Sequence, residues 1–182
     1  MMRDTMNLGD MVLDLEKMGR KPRHLQGHVP ADHLPALGEL VRVESPAWVD
    51  LLATLDQKRL RVAGHLGGRI GLDCGRCLQP YTLELAVAPE REFIAGAEPP
   101  DLGGEVEVQD ETVYLDDGLF SLRRMVEEEL ILALPMTHLC RETCAGLCDQ
   151  CGSDRNIKMC GCQPRNLDSP FAVLKNLGSF NP

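Results

Sequence analysis

Apolar residues recur along this chain with two different periods, and each period predicts a different element. Leu8, Met11, Val12, Leu15 and Met18 follow a three- and four-residue rhythm that predicts an amphipathic helix, with Gly19 as its C-terminal cap. The stretch from Arg20 to Pro30 is basic and broken by Pro and Gly, so it should be extended or looped. The period then changes to two. Residues 48–54 and 58–72 read as strands, with Leu60, Val62, Gly64 and Leu66 on one face and Gly67-Gly68 as a candidate turn. After the Cys-Gly-Arg-Cys tetrapeptide at 74–77 the alternation resumes, with Tyr81, Leu83, Leu85 and Val87 on one side and Thr82 and Glu84 on the other. Residues 95–112 are acidic and rich in Pro and Gly, which predicts a surface connector. Val113 to Asp117 predicts a short strand leading into a helix. That helix carries Leu122, Met125, Val126, Glu129, Leu130 and Ala133 at helical spacing and ends by Pro135. Together these patterns predict an α+β fold: a mostly antiparallel β core with a few helices, followed by a small C-terminal module resembling a zinc ribbon. The expected division is an α+β unit over 1–143 and a Cys-rich module with its tail over 144–182.

Composition narrows the classes. At 182 residues the chain suits one compact domain with a small appendage, and with 4% aromatics its core must rest on Leu, Val, Ile, Met and Ala. The longest apolar run, near Leu130, falls far short of the roughly 18 residues a bilayer span needs. The first twenty residues mix acids into their apolar pattern, unlike a secretory signal or an Arg/Ser-rich transit peptide. A cytoplasmic location is therefore expected, where thiols stay reduced. Net charge is −9, and it is concentrated: residues 82–139 hold 3 Lys/Arg against 14 Asp/Glu. That balance excludes binding to nucleic acid by bulk counterion release.

No catalytic constellation emerges. Glu127, Glu128 and Glu129 occupy consecutive helical positions about 100° apart, so they cannot converge on one substrate and read as a solvated helix face. His24 and His28 with Arg20, Lys21 and Arg23 offer a phosphate contact, but a solvated loop is the simpler reading. The chain carries neither a phosphate-cradling Gly-rich loop with Lys-Ser/Thr nor a nucleotide fingerprint.

The chemistry lies in eight cysteines: Cys74, Cys77, Cys140, Cys144, Cys148, Cys151, Cys160 and Cys162. Eight is twice the four ligands of a closed structural zinc site. Cys148 and Cys151, followed by Gly152, form a metal knuckle, and Cys160 and Cys162 lie close enough to complete a compact ribbon. The one-residue gap between Cys160 and Cys162 is unusually tight, which leaves one of them open as a spectator. Cys74 and Cys77 form a second knuckle, and by subtraction their partners are Cys140 and Cys144; His138 could in principle replace Cys140, but a lone histidine is more often a structural or surface residue and is left out of the set. Two structural zinc ions are thus expected. Competing readings are an iron–sulfur cluster, which also takes four cysteines, and a thiol redox or metal-handling protein using the CxxC pairs. A redox thiol is usually activated at a helix N-terminus, whereas Cys74 and Cys77 sit between strand-like runs.

Taken in order, LDCGRCLQPYTLEL, EEELILALPMTHLC, CAGLCDQCG and DSPFAVLKNL resemble the YceD family over roughly residues 55–178. The family's members are named large ribosomal RNA subunit accumulation proteins. The resemblance implies a bacterial or plastid-related cytoplasmic factor for synthesis, processing or stability of 23S ribosomal RNA, with no enzymatic activity and no small-molecule substrate. It also implies that the first cysteine site stands without the second, because relatives with the CxRC segment and the helix but without the ribbon exist. The segment Arg155-Asn156-Ile157 departs from the Asn-Leu-Asn-like run usual in the family, which bears on the shape of that loop. An acidic factor must meet ribosomal RNA, or a pre-ribosomal particle, locally or through a partner. Arg20, Lys21, Arg23, Arg59 and Arg61 are the candidate RNA contacts, and the acidic segment 98–117 is a candidate dock for a basic ribosomal protein.

Overall fold

The computed structural model describes residues 6–96 and 113–162. Its elements in chain order are β1 (Met6–Asn7), β2 (Val12–Asp14), β3 (Arg23–Val29), α1 (Pro35–Leu40), β4 (Arg42–Val43), β5 (Ala47–Asp56), β6 (Arg59–Asp73), β7 (Pro80–Val87), β8 (Glu90–Ala95), β9 (Val113–Leu115), β10 (Leu119–Ser121) and α2 (Leu122–Leu132). One sheet runs β1-β3-β5-β6-β8-β9, with β4 and β7 also pairing with β6. A small second sheet joins β2 to β10. All pairs are antiparallel except β1 with β3 and β8 with β9. The architecture is mostly β with few helices, as the alternating patterns predict.

The strand β6 organises the sheet. Its partners on one side, β7 and β8, keep a single unbroken register, with Leu66 opposite Val87 and Ala63 opposite Glu90. The two are in effect one strand interrupted at Ala88-Pro89, because proline has no N–H to give the ladder. Pro89 still accepts through its carbonyl, from Gly64 N at 3.2 Å. Gly64 has φ +147, and a side chain there would run into the Asp50 carbonyl and the Leu51 backbone. Only glycine fits. The far tip of this long hairpin is the segment 74–79, which is how the sheet presents Cys74 and Cys77.

Strand β5 alternates strictly, burying Ala47, Val49, Leu51, Ala53 and Leu55. Leu60, Val62, Leu66, Ile70 and Leu72 of β6 join the same core, as do Leu122, Met125, Val126 and Leu130 of α2. Phe93 of β8 and Phe120 of β10 meet edge-to-face with ring centroids 4.8 Å apart. Ser121 caps α2, its hydroxyl accepting from Arg124 N at 3.4 Å. No helix among the described residues is long and apolar enough to cross a membrane.

Three expectations are corrected. The segment 8–18 is not a helix: it forms β2 and flanking turns, and Leu13 and Leu15 are buried while Val12 is exposed. Side-chain turns supply the reason. Asn7 Oδ1 accepts from Gly9 N at 2.9 Å and Asp14 Oδ1 from Glu16 N at 3.1 Å, giving the backbone local alternatives to helical bonds. Pairing of β2 with β10 then outweighs the helical spacing. Gly67-Gly68 is no turn either, but lies inside β6, where a Cβ on Gly67 would press 2.7 Å from the Trp48 ring. Finally, the α2 glutamates are not a uniformly solvated face. Glu127 is 7% exposed and accepts from Ala36 N at 2.7 Å and Leu37 N at 3.2 Å, closing the N-terminus of α1. Glu129 pairs with Arg91 at 2.5 Å, while Glu128 bonds Arg124 on the exposed side at 2.9 Å. The three carboxylates do diverge. The connector at 97–112 and the tail at 163–182 lie outside the described residues, so the docking segment is described only at its end.

Candidate metal centres

The hairpin tip is a tight knuckle. Leu78 N donates to Cys74 O at 2.8 Å and Cys74 N to Gln79 O at 3.0 Å, curling both cysteines inward. The turn requires a left-handed residue after Cys77, and Leu78 fills that position with φ 58. In the second knuckle Gly152 takes the equivalent position after Cys151 with φ 71, and its N–H returns to Cys148 O at 2.9 Å. Same geometry, different residues.

The eight sulfurs gather into two groups of four: Cys74, Cys77, Cys140 and Cys144, and Cys148, Cys151, Cys160 and Cys162. Within each group all sulfurs lie within 4.8 Å of one another. These are the groups reached above by subtraction, and Cys160 and Cys162 both belong to the second, so neither is a bystander by position. His138 supplies not its ring but its backbone carbonyl, which accepts from Gly75 N at 2.7 Å. Cys74, Cys77, Cys144 and Cys148 are buried, and all eight thiols are unbridged.

The donor geometry fits a tetrahedral ion. An ion about 2.3 Å from four sulfurs separates them by about 3.8 Å along each tetrahedral edge. The Cys74–Cys144 and Cys77–Cys140 sulfur pairs are each 3.8 Å apart. Electrostatics point the same way. Backbone N–H groups of Cys140 and then Cys77 aim at the Cys74 sulfur and hold its thiol down at about 6. Those of Cys151 and Gln150 hold Cys148 at about 6. Burial, with the neighbouring sulfurs, pushes Cys140 up to about 12. Contact with Cys151, then burial, pushes Cys162 up to about 12. Four thiols this close ionise together only when a cation shares their charge.

The two groups are joined by side chains that pattern reading passed over. Arg76, a mere spacer in the CGRC reading, donates through Nη1 to Cys144 O at 3.1 Å and Glu142 O at 3.3 Å. Its carbonyl accepts from Leu147 N at 3.0 Å. Asn156 Oδ1 accepts from Ala145 N and from Arg141 Nη2, both at 2.8 Å, while its Nδ2 reaches the Cys144 sulfur at 3.5 Å. Asn156 thus sits in the loop of the second group and touches a sulfur of the first. Its sole sequence signal was its place in the departing Arg155-Asn156-Ile157 run.

The candidate RNA contacts are scattered. Arg59 and Arg61 of β6 are ion-paired with Glu92 (2.7 Å) and Glu90. Arg23 opens β3, and Arg20 and Lys21 lie in the bend before it. His24 pairs with Asp50 at 2.6 Å, while His28 is four residues further along β3.

Fold and site define a class: a predominantly β protein whose hairpin tip converges with a Cys-rich C-terminal segment in two four-sulfur groups. The chain belongs to the YceD family, described as large ribosomal RNA subunit accumulation protein YceD, which it matches over residues 62–178. That range contains all eight cysteines. The large ribosomal RNA subunit accumulation protein YceD of Haemophilus influenzae is 31% identical over 160 residues, covering 83% of this chain and 85% of that protein. An uncharacterized protein of Mycobacterium tuberculosis is 30% identical over 146 residues, covering 78% of this chain and 69% of that one. An uncharacterized protein of Mycobacterium leprae is 28% identical over 153 residues, covering 80% and 68%. No solved structure matches.

Proposed function

We propose that this chain is a non-catalytic cytoplasmic factor for synthesis, processing or stability of 23S ribosomal RNA, held in shape by two structural zinc ions. The observation that carries the reading is the family match, which spans both four-sulfur groups. Zinc is favoured because a closed set of four clustered sulfurs suits it and leaves no open position for a substrate or water. Cys74, Cys77, Cys140 and Cys144 would hold one ion, and Cys148, Cys151, Cys160 and Cys162 the other in a ribbon-like module. The first ion would tie the β6–β7 hairpin to the segment after α2, more than sixty residues away. The partner is ribosomal RNA precursor or a pre-ribosomal particle, met directly or through a basic ribosomal protein; no small-molecule substrate is implied.

The test is depletion of the protein followed by quantification of precursor and mature 23S RNA against 16S RNA. A selective loss of mature 23S RNA is expected, and unchanged 23S levels refute the reading. Deleting the acidic segment should weaken association with pre-ribosomal particles; unchanged association sinks the docking idea.

A further inference from the structure

The sheet buries one face, and its other face around Trp48 is built unlike an ordinary solvated surface. Trp48, the single tryptophan of the chain, is 43% exposed. The strand beneath it is stripped of side chains at Gly67, its cross-strand partner, so the ring sits against backbone. His28 lies opposite on the other neighbouring strand, and Leu52, four residues along β5, is also exposed. Beside the ring opens a hollow of about 340 Å³ lined by Trp48, Gly68, Arg69, Glu84, Leu85 and Ala86. Arg59 and Arg61 on the same strand are neutralised by glutamates. Arg69 is exposed and makes no side-chain ion pair or hydrogen bond among the described residues, although Glu84 stands across from it in register.

An aromatic ring fixed from beneath, an uncommitted guanidinium and a carboxylate acceptor around one hollow match the parts of a nucleotide. A base stacks on the ring, Glu84 accepts from its N–H donors, and Arg69 meets the phosphate. We propose that this face binds an unpaired nucleotide of single-stranded RNA, with Trp48 as the stacking platform and Arg69 as the cation. The site deepens the ribosomal-RNA reading and rests on it. It also relieves the conflict with an acidic chain, because stacking draws on π-surface rather than on net charge, and a local cation suffices where bulk charge is unfavourable.

The single tryptophan is its own reporter. The full chain, purified with its metal, is titrated with a mixed-sequence single-stranded RNA of about ten nucleotides and with a duplex of the same sequence. Quenching of Trp48 emission by the single strand and not by the duplex is expected. Anisotropy of labelled RNA should show Trp48→Ala binding about 5- to 150-fold weaker, with Trp48→Phe retaining most of the affinity. Arg69→Gln should reduce the log–log salt slope by about 0.7, one phosphate's share. Each variant is checked for unchanged metal content and circular dichroism. The proposal is overturned if RNA leaves the emission unchanged, or if Trp48→Ala binds within twofold of wild type. It is equally overturned if emission shifts with protein concentration alone and sedimentation shows a dimer, since a second copy then covers the face. In cells the two readings separate. If depletion lowers 23S RNA and Trp48→Ala restores it fully, the nucleotide site fails while the ribosomal reading stands; if depletion leaves 23S RNA unchanged, the ribosomal reading itself fails.

Discussion

Glu127 is the most informative single position for stability, because one buried carboxylate holds two helices together. Its Oε1 receives the Ala36 and Leu37 N–H groups at the start of α1, and its Oε2 receives Arg123 Nη1 at 3.3 Å. α1 has no side-chain cap of its own, and Leu37 is fully buried, so water cannot replace the lost acceptor at that N–H. Glu127→Ala removes the two charge-assisted bonds to α1, along with the partly exposed Arg123 pair, which adds little, and leaves at least one buried donor unsatisfied. At about 1.5–3 kcal/mol per bond to a charged group, less some relaxation, the expected loss is about 3–5 kcal/mol. Glu127→Gln keeps an acceptor oxygen but loses the charge toward Arg123 and the α1 dipole, for about 1–2 kcal/mol. The assay is urea unfolding at fixed, saturating zinc, comparing midpoints at constant slope so that metal binding does not vary between variants. A Glu127→Ala loss under about 0.5 kcal/mol, within the range of ordinary surface substitutions, would refute the idea that this carboxylate caps α1.

Three further outcomes are expected if the two four-sulfur groups hold zinc as proposed. Leu78→Gly should raise stability by about 0.5–1 kcal/mol in thermal melts, because Leu78 is strained at φ 58 while 65% exposed and so contributes little packing; a lower melting temperature would contradict this. Asn156→Ala should speed chelator-driven zinc release from one of the two sites, with affinity there falling about 10- to 100-fold, as expected for a residue that bonds a ligand sulfur; uniform release kinetics like wild type would contradict it. Cys148→Ser should leave one zinc per chain and a folded sheet, whereas Cys74→Ser should cost the hairpin staple, a contribution on the order of 10 kcal/mol in metal binding; metal analysis with circular dichroism separates the two.

What the sequence reveals follows where local pattern and tertiary context agree. β5 and β6 were legible because one face is buried along their whole length, so alternation is strict wherever glycine does not intervene. The cysteine groups were legible because ligand number is a chemical constraint that spacing alone nearly satisfies. The N-terminal segment was misread because helical spacing and a strand flanked by turns bury overlapping sets, and the deciding partner, β10, lies more than a hundred residues away. Gly67 looks like a turn in the sequence because its need for glycine comes from the two neighbouring strands, the Leu85 carbonyl on one and the Trp48 ring on the other. The roles of Arg76, Asn156 and Glu127 are hidden from the sequence for a shared reason: each works by meeting backbone or sulfur distant in sequence, and no local pattern records that.

The central claim, that two closed sets of four thiolates hold zinc and fix the hairpin tip, is tested most directly by zinc-edge X-ray absorption with metal analysis on the purified chain. The account predicts two zinc ions per chain, each with four sulfur neighbours at about 2.3 Å. Fewer than one zinc per chain, nitrogen or oxygen in the first shell, or iron with visible absorption in its place would contradict it.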